Sequence, residues 1–133
     1  MKLTDNNIFI TGGTSGIGRA MAEKFHQLGN QVIISGRREA LLQEVTAASP
    51  GMDYVVLDVT RADSIQAAAH HVLERYPALN VVINNAGIMP FDNAAGELDD
   101  AQAVTLLNTN LLGPVRVSAA FIEHLKQQPD AVL

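Results

Sequence analysis

The chain contains no cysteine and no tryptophan, and only two tyrosines and four phenylalanines. Without thiols it can form no disulfide, thiolate nucleophile or cysteine metal site, and its composition suits a reducing cytoplasm. Basic residues are also few, nine Lys and Arg against fourteen Asp and Glu, for a formal charge of −5. A nucleic-acid footprint needs a clustered basic face, so that partner class is disfavoured. No apolar run approaches the ~20 residues of a membrane span, and the first apolar strand follows Met1 too closely to leave room for a signal peptide. The expectation is a cytoplasmic chain with neither membrane nor nucleic acid as partner.

What is present suffices for a core. The 133 residues are 47% hydrophobic, which fits a single domain over residues 1–133. Ile8-Phe9-Ile10 reads as a strand, followed by the glycine-rich turn Thr11-Gly12-Gly13-Thr14-Ser15-Gly16-Ile17-Gly18. Ile17, Met21, Phe25 and Leu28 then recur at helical spacing, facing inward, until Gly29 closes the helix. Gln31 to Ser35 is a nearly all-apolar strand of the kind buried on both faces of a parallel sheet. A helix from Glu39 to Ser49 turns Leu41, Leu42, Val45 and Ala48 inward and stops at Pro50-Gly51.

Asp53 to Leu57 makes a third strand, and Thr60-Arg61-Ala62-Asp63 has the form of a capping box opening a helix through Tyr76. Val81-Val82-Ile83 is a fourth strand. A loop over 89–100 leads into a long helix from Ala101 to Gln127, bent at Gly113-Pro114 where proline deletes a backbone hydrogen bond. Ala131-Val132-Leu133 opens a fifth strand. The fold class expected is α/β: a Rossmann-type doubly wound parallel sheet, β-α-β-α-β-α-β-α-β, truncated in the fifth strand and so incomplete at its C-terminal end.

A strand, a glycine-rich turn and a helix in succession make a phosphate site. The turn lets backbone approach a pyrophosphate, and the helix aims unpaired N–H groups at the anion. Its dipole supplies only roughly 0.3–1 kcal/mol at an exposed position, so selectivity must come from aimed amides and shape. Gly12, Thr14, Ser15, Gly16, Ile17 and Gly18 are the candidates. The plain alternative is a loop that needs glycine only for backbone freedom.

The second strand ends in Ser35-Gly36-Arg37-Arg38. An NAD-type fold places an acid there, roughly 20 residues after the glycine turn, for the ribose 2′-hydroxyl. Here glycine replaces the carboxylate, and Arg37 with Arg38 beside it favours a 2′-phosphate, which guanidinium pairs bidentately. NADP is therefore expected over NAD, the alternative being two solvated arginines. His70 and His71 are adjacent, not three or four apart, so no metal site is expected. His26 and His124 also read as surface residues. Asp99-Asp100 reads as stabilising a helix start rather than as a catalytic acid pair.

The glycine turn, Leu57-Asp58-Val59-Thr60, Asn84-Asn85-Ala86-Gly87, and Asn110 followed by Gly113 together resemble the short-chain dehydrogenase/reductase family in order and spacing, most nearly a branch described as DltE-like. The resemblance covers essentially the whole chain but only the first half of the family's ~250 residues, a length that fits one large α/β domain. It implies that Gly12, Ser15, Ile17 and Gly18 contact a cofactor pyrophosphate, that Arg37 holds the 2′-phosphate, and that Asp58 and Val59 border the adenine. It implies that Asn85, Ala86 and Gly87 line the ribose beside the nicotinamide. Asn110 would be the family's helix asparagine, whose backbone holds a water of the proton relay. It also implies a small carbonyl or alcohol substrate and pairing into a homo-oligomer through the long helix.

Each position has a plainer role open to it. Asp58 could be a turn residue bonding its own backbone. Asn84 and Asn85 could tie strand ends together, and Asn110 could satisfy a carbonyl freed at the Gly-Pro bend. The family's serine and Tyr-x-x-x-Lys pair are not found: Asp58 and Asn80 stand four residues after Tyr54 and Tyr76. Proton transfer needs such a tuned group. The leading expectation is the cofactor-binding half of an NADP-dependent oxidoreductase. The alternative is a non-catalytic nucleotide-binding or interaction module, with Leu111, Leu112, Val115 and Phe121 as contact residues.

Overall fold

The structure, a computed structural model, describes residues 2–90 and 95–133. Its strands are β1 (Asn7–Thr11), β2 (Gln31–Gly36), β3 (Asp53–Val56) and β4 (Val81–Ile83). Its helices are α1 (Gly16–Gln27), α2 (Glu39–Ala47), α3 (Ala62–Arg75), α4 (Asp100–Leu107) and α5 (Gly113–Leu125). The strands form one parallel sheet in the order β3-β2-β1-β4. The chain steps outward from β1 to β3 and then crosses back to place β4 on the other flank of β1. That reversal is where open α/β sheets part their strand ends to admit a ligand.

Alternation along β1 explains the layers. Ile8 and Ile10 join Val32, Ile34 and Val81 in a core closed by Ala22 of α1 and by Leu42 and Val45 of α2. Phe9, Ile33 and Val82 point the other way, onto Ile65, Ala68 and Val72 of α3 and Val117, Phe121 and Leu125 of α5. Phe9 and Phe121 meet with ring centroids 5.1 Å apart. Below the sheet three asparagines set the entries of β1, β2 and β4. Asn30 accepts from the Asn6 backbone at 3.0 Å, Asn80 accepts from the Asn7 backbone at 2.9 Å, and Asn80 donates to Asn6 at 3.0 Å.

Several local expectations are corrected. Ile17 does not face the core; it is 75% exposed, because the first turn of α1 stands at the C-terminal ends of the strands, where Ile17 borders a cleft. Leu41 is half-buried and Ala48 is exposed, since α2 ends at Ala47. The expected capping box is absent: Arg61 occupies the N-cap of α3 with no side-chain bond, and Asp58 accepts from Thr60 instead. The long helix keeps helical backbone angles from α4 into α5, and the irregularity expected at Gly113-Pro114 takes the form of a π-helical turn, Asn108–Leu112, directly ahead of the proline.

The fifth strand is reduced to one parallel bridge, Val81 to Val132, on the outer flank of β4. Phe121 is buried at 1% exposure, whereas Leu111, Leu112 and Val115 are exposed. His26 and His124 are half-buried, each with Nε2 at 3.1 Å from a carbonyl oxygen, of Pro50 and Leu79 respectively. Asp99 caps α4 by accepting from the Gln102 backbone at 3.0 Å. The loop expected over 89–100 includes residues 91–94, which lie outside the described residues. No helix among the described residues is long and apolar enough to cross a membrane.

Candidate functional site

A cleft of about 570 Å³ lies across the C-terminal ends of β1, β2, β3 and β4. The four segments that follow the strands build it. After β1 the chain turns sharply at Gly12 (φ +73°) and Gly16 (φ +55°), backbone angles that other residues rarely adopt. The turn closes against β2, because the Ser35 carbonyl accepts from both Gly12 and Gly13 amides at 2.9 and 3.0 Å. Ser15 stands at the N-cap of α1 but makes no side-chain cap bond, and no acid occupies the first turn. The helix therefore presents its first amides uncapped at the rim of the cleft.

Close approach fixes Gly18. A β-carbon there would collide with the Gly12 carbonyl oxygen and with Asn85 Nδ2, so α1 can approach the strand ends only without one. Asn85 is the tie between them. Its Nδ2 donates to the carbonyls of Thr11 and Gly12, both at 3.1 Å, while its own amide and that of Ala86 donate to Thr11 Oγ1 at 3.1 and 3.0 Å. The strand-tying role is thus present for Asn85, and Asn84 instead donates to Ser118 Oγ at 3.1 Å.

Two positive side chains face the cleft. Arg37 and Arg38 line it and make no ion pair among the described residues. Across from them Asp58 accepts from the Thr60 hydroxyl at 2.6 Å and from the Thr60 amide at 2.9 Å. The hydroxyl bond first, then the amide bond and the charges of Arg37 and Arg61, holds its carboxyl below the ordinary aspartate range despite partial burial. Asp58 is therefore a turn residue and a cleft wall at once. Ser35 also lines the cleft and buries a hydroxyl with no hydrogen-bond partner among the described residues.

Of the residues singled out from sequence, Gly12, Thr14, Ser15, Ile17 and Gly18 line the cleft from the first turn, and Arg37 and Arg38 from the second. Asp58 and Val59, then Asn85, Ala86 and Gly87, complete the wall. Gly16 and Asn110 do not line it. Asn110 stands behind, accepting from the Ile88 amide at 2.8 Å and donating to the Ile88 carbonyl at 2.7 Å, so it fastens the segment after β4 rather than bonding a helix carbonyl.

Thr105 and Thr109 line the cleft unannounced by the sequence reading. Their spacing of four places them on one helix face, a signal that hydrophobic periodicity does not register because threonine is neither clearly apolar nor charged. The two tyrosines lie elsewhere. Tyr54 donates to Glu39 at 3.1 Å, and Tyr76 donates to Asp53 at 2.7 Å. Burial first, then the Asp53 carboxylate, raises the Tyr76 phenol above its ordinary range.

A family model described as short chain dehydrogenase matches residues 6–132. An uncharacterized oxidoreductase of Bacillus subtilis, DltE, is 40% identical over 137 aligned positions, covering 100% of this chain and 53% of that protein. A sulfoacetaldehyde reductase of Chromohalobacter salexigens is 34% identical over 122 positions, covering 89% of this chain and 48% of the relative. The crystal structure of a 3-ketoacyl-(acyl-carrier-protein) reductase from Brucella melitensis complexed with NADH superposes with a TM-score of 0.89 at 25% identity, over 95% of this chain and 52% of the other. The chain spans about half the length of these relatives.

Proposed function

Because the chain belongs to the short-chain dehydrogenase family, we propose that it holds the cofactor of an oxidoreductase that uses NADP to interconvert a carbonyl and an alcohol. Membership implies a nicotinamide dinucleotide, and the donor set agrees with one: uncapped amides at the start of α1 and, on the same cleft, two guanidiniums with no ion pair among the described residues. The observation that carries the NADP reading is the pairing of Gly36 with Arg37, a missing carboxylate beside a cation that makes no ion pair among the described residues. When bound, the dinucleotide supplies or accepts a hydride at its nicotinamide ring.

The chain's own residues bind and orient. In this reading Gly12, Thr14, Ser15, Gly16, Ile17 and Gly18 surround the pyrophosphate, and the α1 amides neutralise it. Arg37 and Arg38 clasp the 2′-phosphate as a planar fork. Asp58 and Val59 flank the adenine, with Asp58 held ionised by Thr60. Asn85, Ala86 and Gly87 form the wall beside the inner ribose, and their place is fixed by the Thr11 hydroxyl. Asn110 positions Ile88 and offers its backbone to a water of the proton relay. Residues 1–133 act as one nucleotide-binding unit, cytoplasmic, and paired with a second copy through the α4–α5 region.

Neither tyrosine lines the cleft, and no lysine follows either by four residues, so proton transfer to a substrate oxygen has no donor of the family's kind here. The chain alone is expected to bind NADPH and to turn over no carbonyl substrate. Isothermal titration of the purified chain with NADPH and NADH tests this, followed by an NADPH-oxidation assay across aldehydes and ketones. Saturable binding that favours NADPH, without turnover, is expected. No heat with either nucleotide from a folded sample, or equal affinity for both, would sink the reading.

A further inference from the structure

Gly36 occupies the place where an NAD-selective chain carries its ribose-binding acid, yet its backbone does not require glycine. Its φ is not among the positive values, which occur at Gly12, Gly16, Gly29 and Gly51. What disfavours a side chain is tight space. A β-carbon built on Gly36 would stand 3.0 Å from Thr14 Cγ2, with Leu42 Cδ2 and Thr14 Oγ1 next at 3.7 Å. The contact with Leu42 is an ordinary one, so the tight neighbour is the methyl of Thr14, which sits on a β-branched carbon that is stiff at χ1. Thr14 itself is anchored in the glycine turn, which the Ser35 carbonyl clamps through Gly12 and Gly13.

We propose that Thr14 is a specificity-determining residue: its γ-methyl fills the volume a carboxylate at position 36 would need, so the choice of cofactor is set by the interlocked pair Thr14–Gly36 and not by position 36 alone. The steric half of this proposal is a property of the free protein; the cofactor half rests on the NADP reading. Changing Gly36 to an acid is then insufficient to favour NAD, because the new side chain is pushed out of the ribose site or displaces the glycine turn. Opening the space at residue 14 first lets the acid take its place.

A thermodynamic cycle on the free chain tests the interlock. Gly36→Ala in the native background is expected to lower Tm by about 3–8 °C, the scale of one overpacked methyl in a domain of this size. In a Thr14→Ala background the same change is expected to be neutral or to raise Tm, since alanine limits the unfolded chain at no steric cost. Thr14→Val, which keeps the γ-methyl and replaces the hydroxyl with a second methyl, should behave as the native background does. Equal Tm shifts in all three backgrounds overturn the interlock.

The cofactor half is read by titrating Gly36→Asp, Thr14→Ala and the double variant with NADH and NADPH. Gly36→Asp alone should lose about tenfold or more in NADPH affinity with no gain for NADH, and the double variant should gain about tenfold in NADH affinity over it. A full NADH gain in Gly36→Asp alone overturns the role of Thr14. Should native protein bind neither nucleotide, the NADP reading fails while the Tm cycle still decides the interlock. If Gly36→Asp does not fold alone but folds with Thr14→Ala, the rescue supports the interlock, and failure in both backgrounds counts against it.

Discussion

At the scale of single residues, charge decides most. A hydrogen bond to a charged group contributes about 1.5–3 kcal/mol, so Arg37→Ala is expected to weaken NADPH binding about tenfold or more while leaving NADH nearly unchanged, as titration calorimetry would read. Asp58 gives a pH signature. Its carboxyl titrates lower folded than unfolded, so the stability it contributes is fully present above the ordinary aspartate range and is lost as pH falls through the depressed value. Asp58→Asn should flatten the fall of Tm with acid below about pH 4 relative to the native chain. The residues that wall the cleft were legible where the pattern is local. Gly36 beside Arg37 can be read in the string itself, but the tie from Asn85 to Thr11 spans 74 positions and follows only from strand pairing.

At the scale of elements, joints matter more than helix interiors. Gly18→Ala must move α1 away from the Gly12 carbonyl and Asn85, an overpacking of about 1–3 kcal/mol. Its expected outcome is a lower urea midpoint together with weaker nucleotide binding. Asn110→Ala removes both bonds to Ile88, and amide exchange at Ile88 should quicken by about tenfold, at about 0.5–1.5 kcal/mol per bond. Helix positions could be read from periodicity, yet Ile17 defeated it, because a first-turn residue keeps the spacing of a core face while projecting past the sheet. The π-helical turn has no periodic signature at all. Gly113-Pro114 marks its end, and what the string cannot tell is that the distortion ahead of the proline is a π-helical turn.

At the scale of the whole molecule, stability is shared between two cores that a single sheet separates. Phe121→Ala empties a fully buried site against Phe9 and should cost about 3–5 kcal/mol, read as a lower urea midpoint at nearly constant m-value. Val115→Ala, on the exposed side of the same helix, should stay within about 0.5 kcal/mol. The parallel, layered character was legible from strands alternating with helices. The order β3-β2-β1-β4 is the one a Rossmann-type reading carries, although no local pattern by itself states which flank of β1 receives the fourth strand.

That order governs the chain during its synthesis. β1 pairs with β2 after a short crossover, but its other flank waits for Val81 to Ile83, more than 65 residues later in translation. Until those residues leave the ribosome, the Ile-Phe-Ile strand carries a bare row of amides and carbonyls, the kind of edge on which nascent chains stick to one another or recruit a holding chaperone.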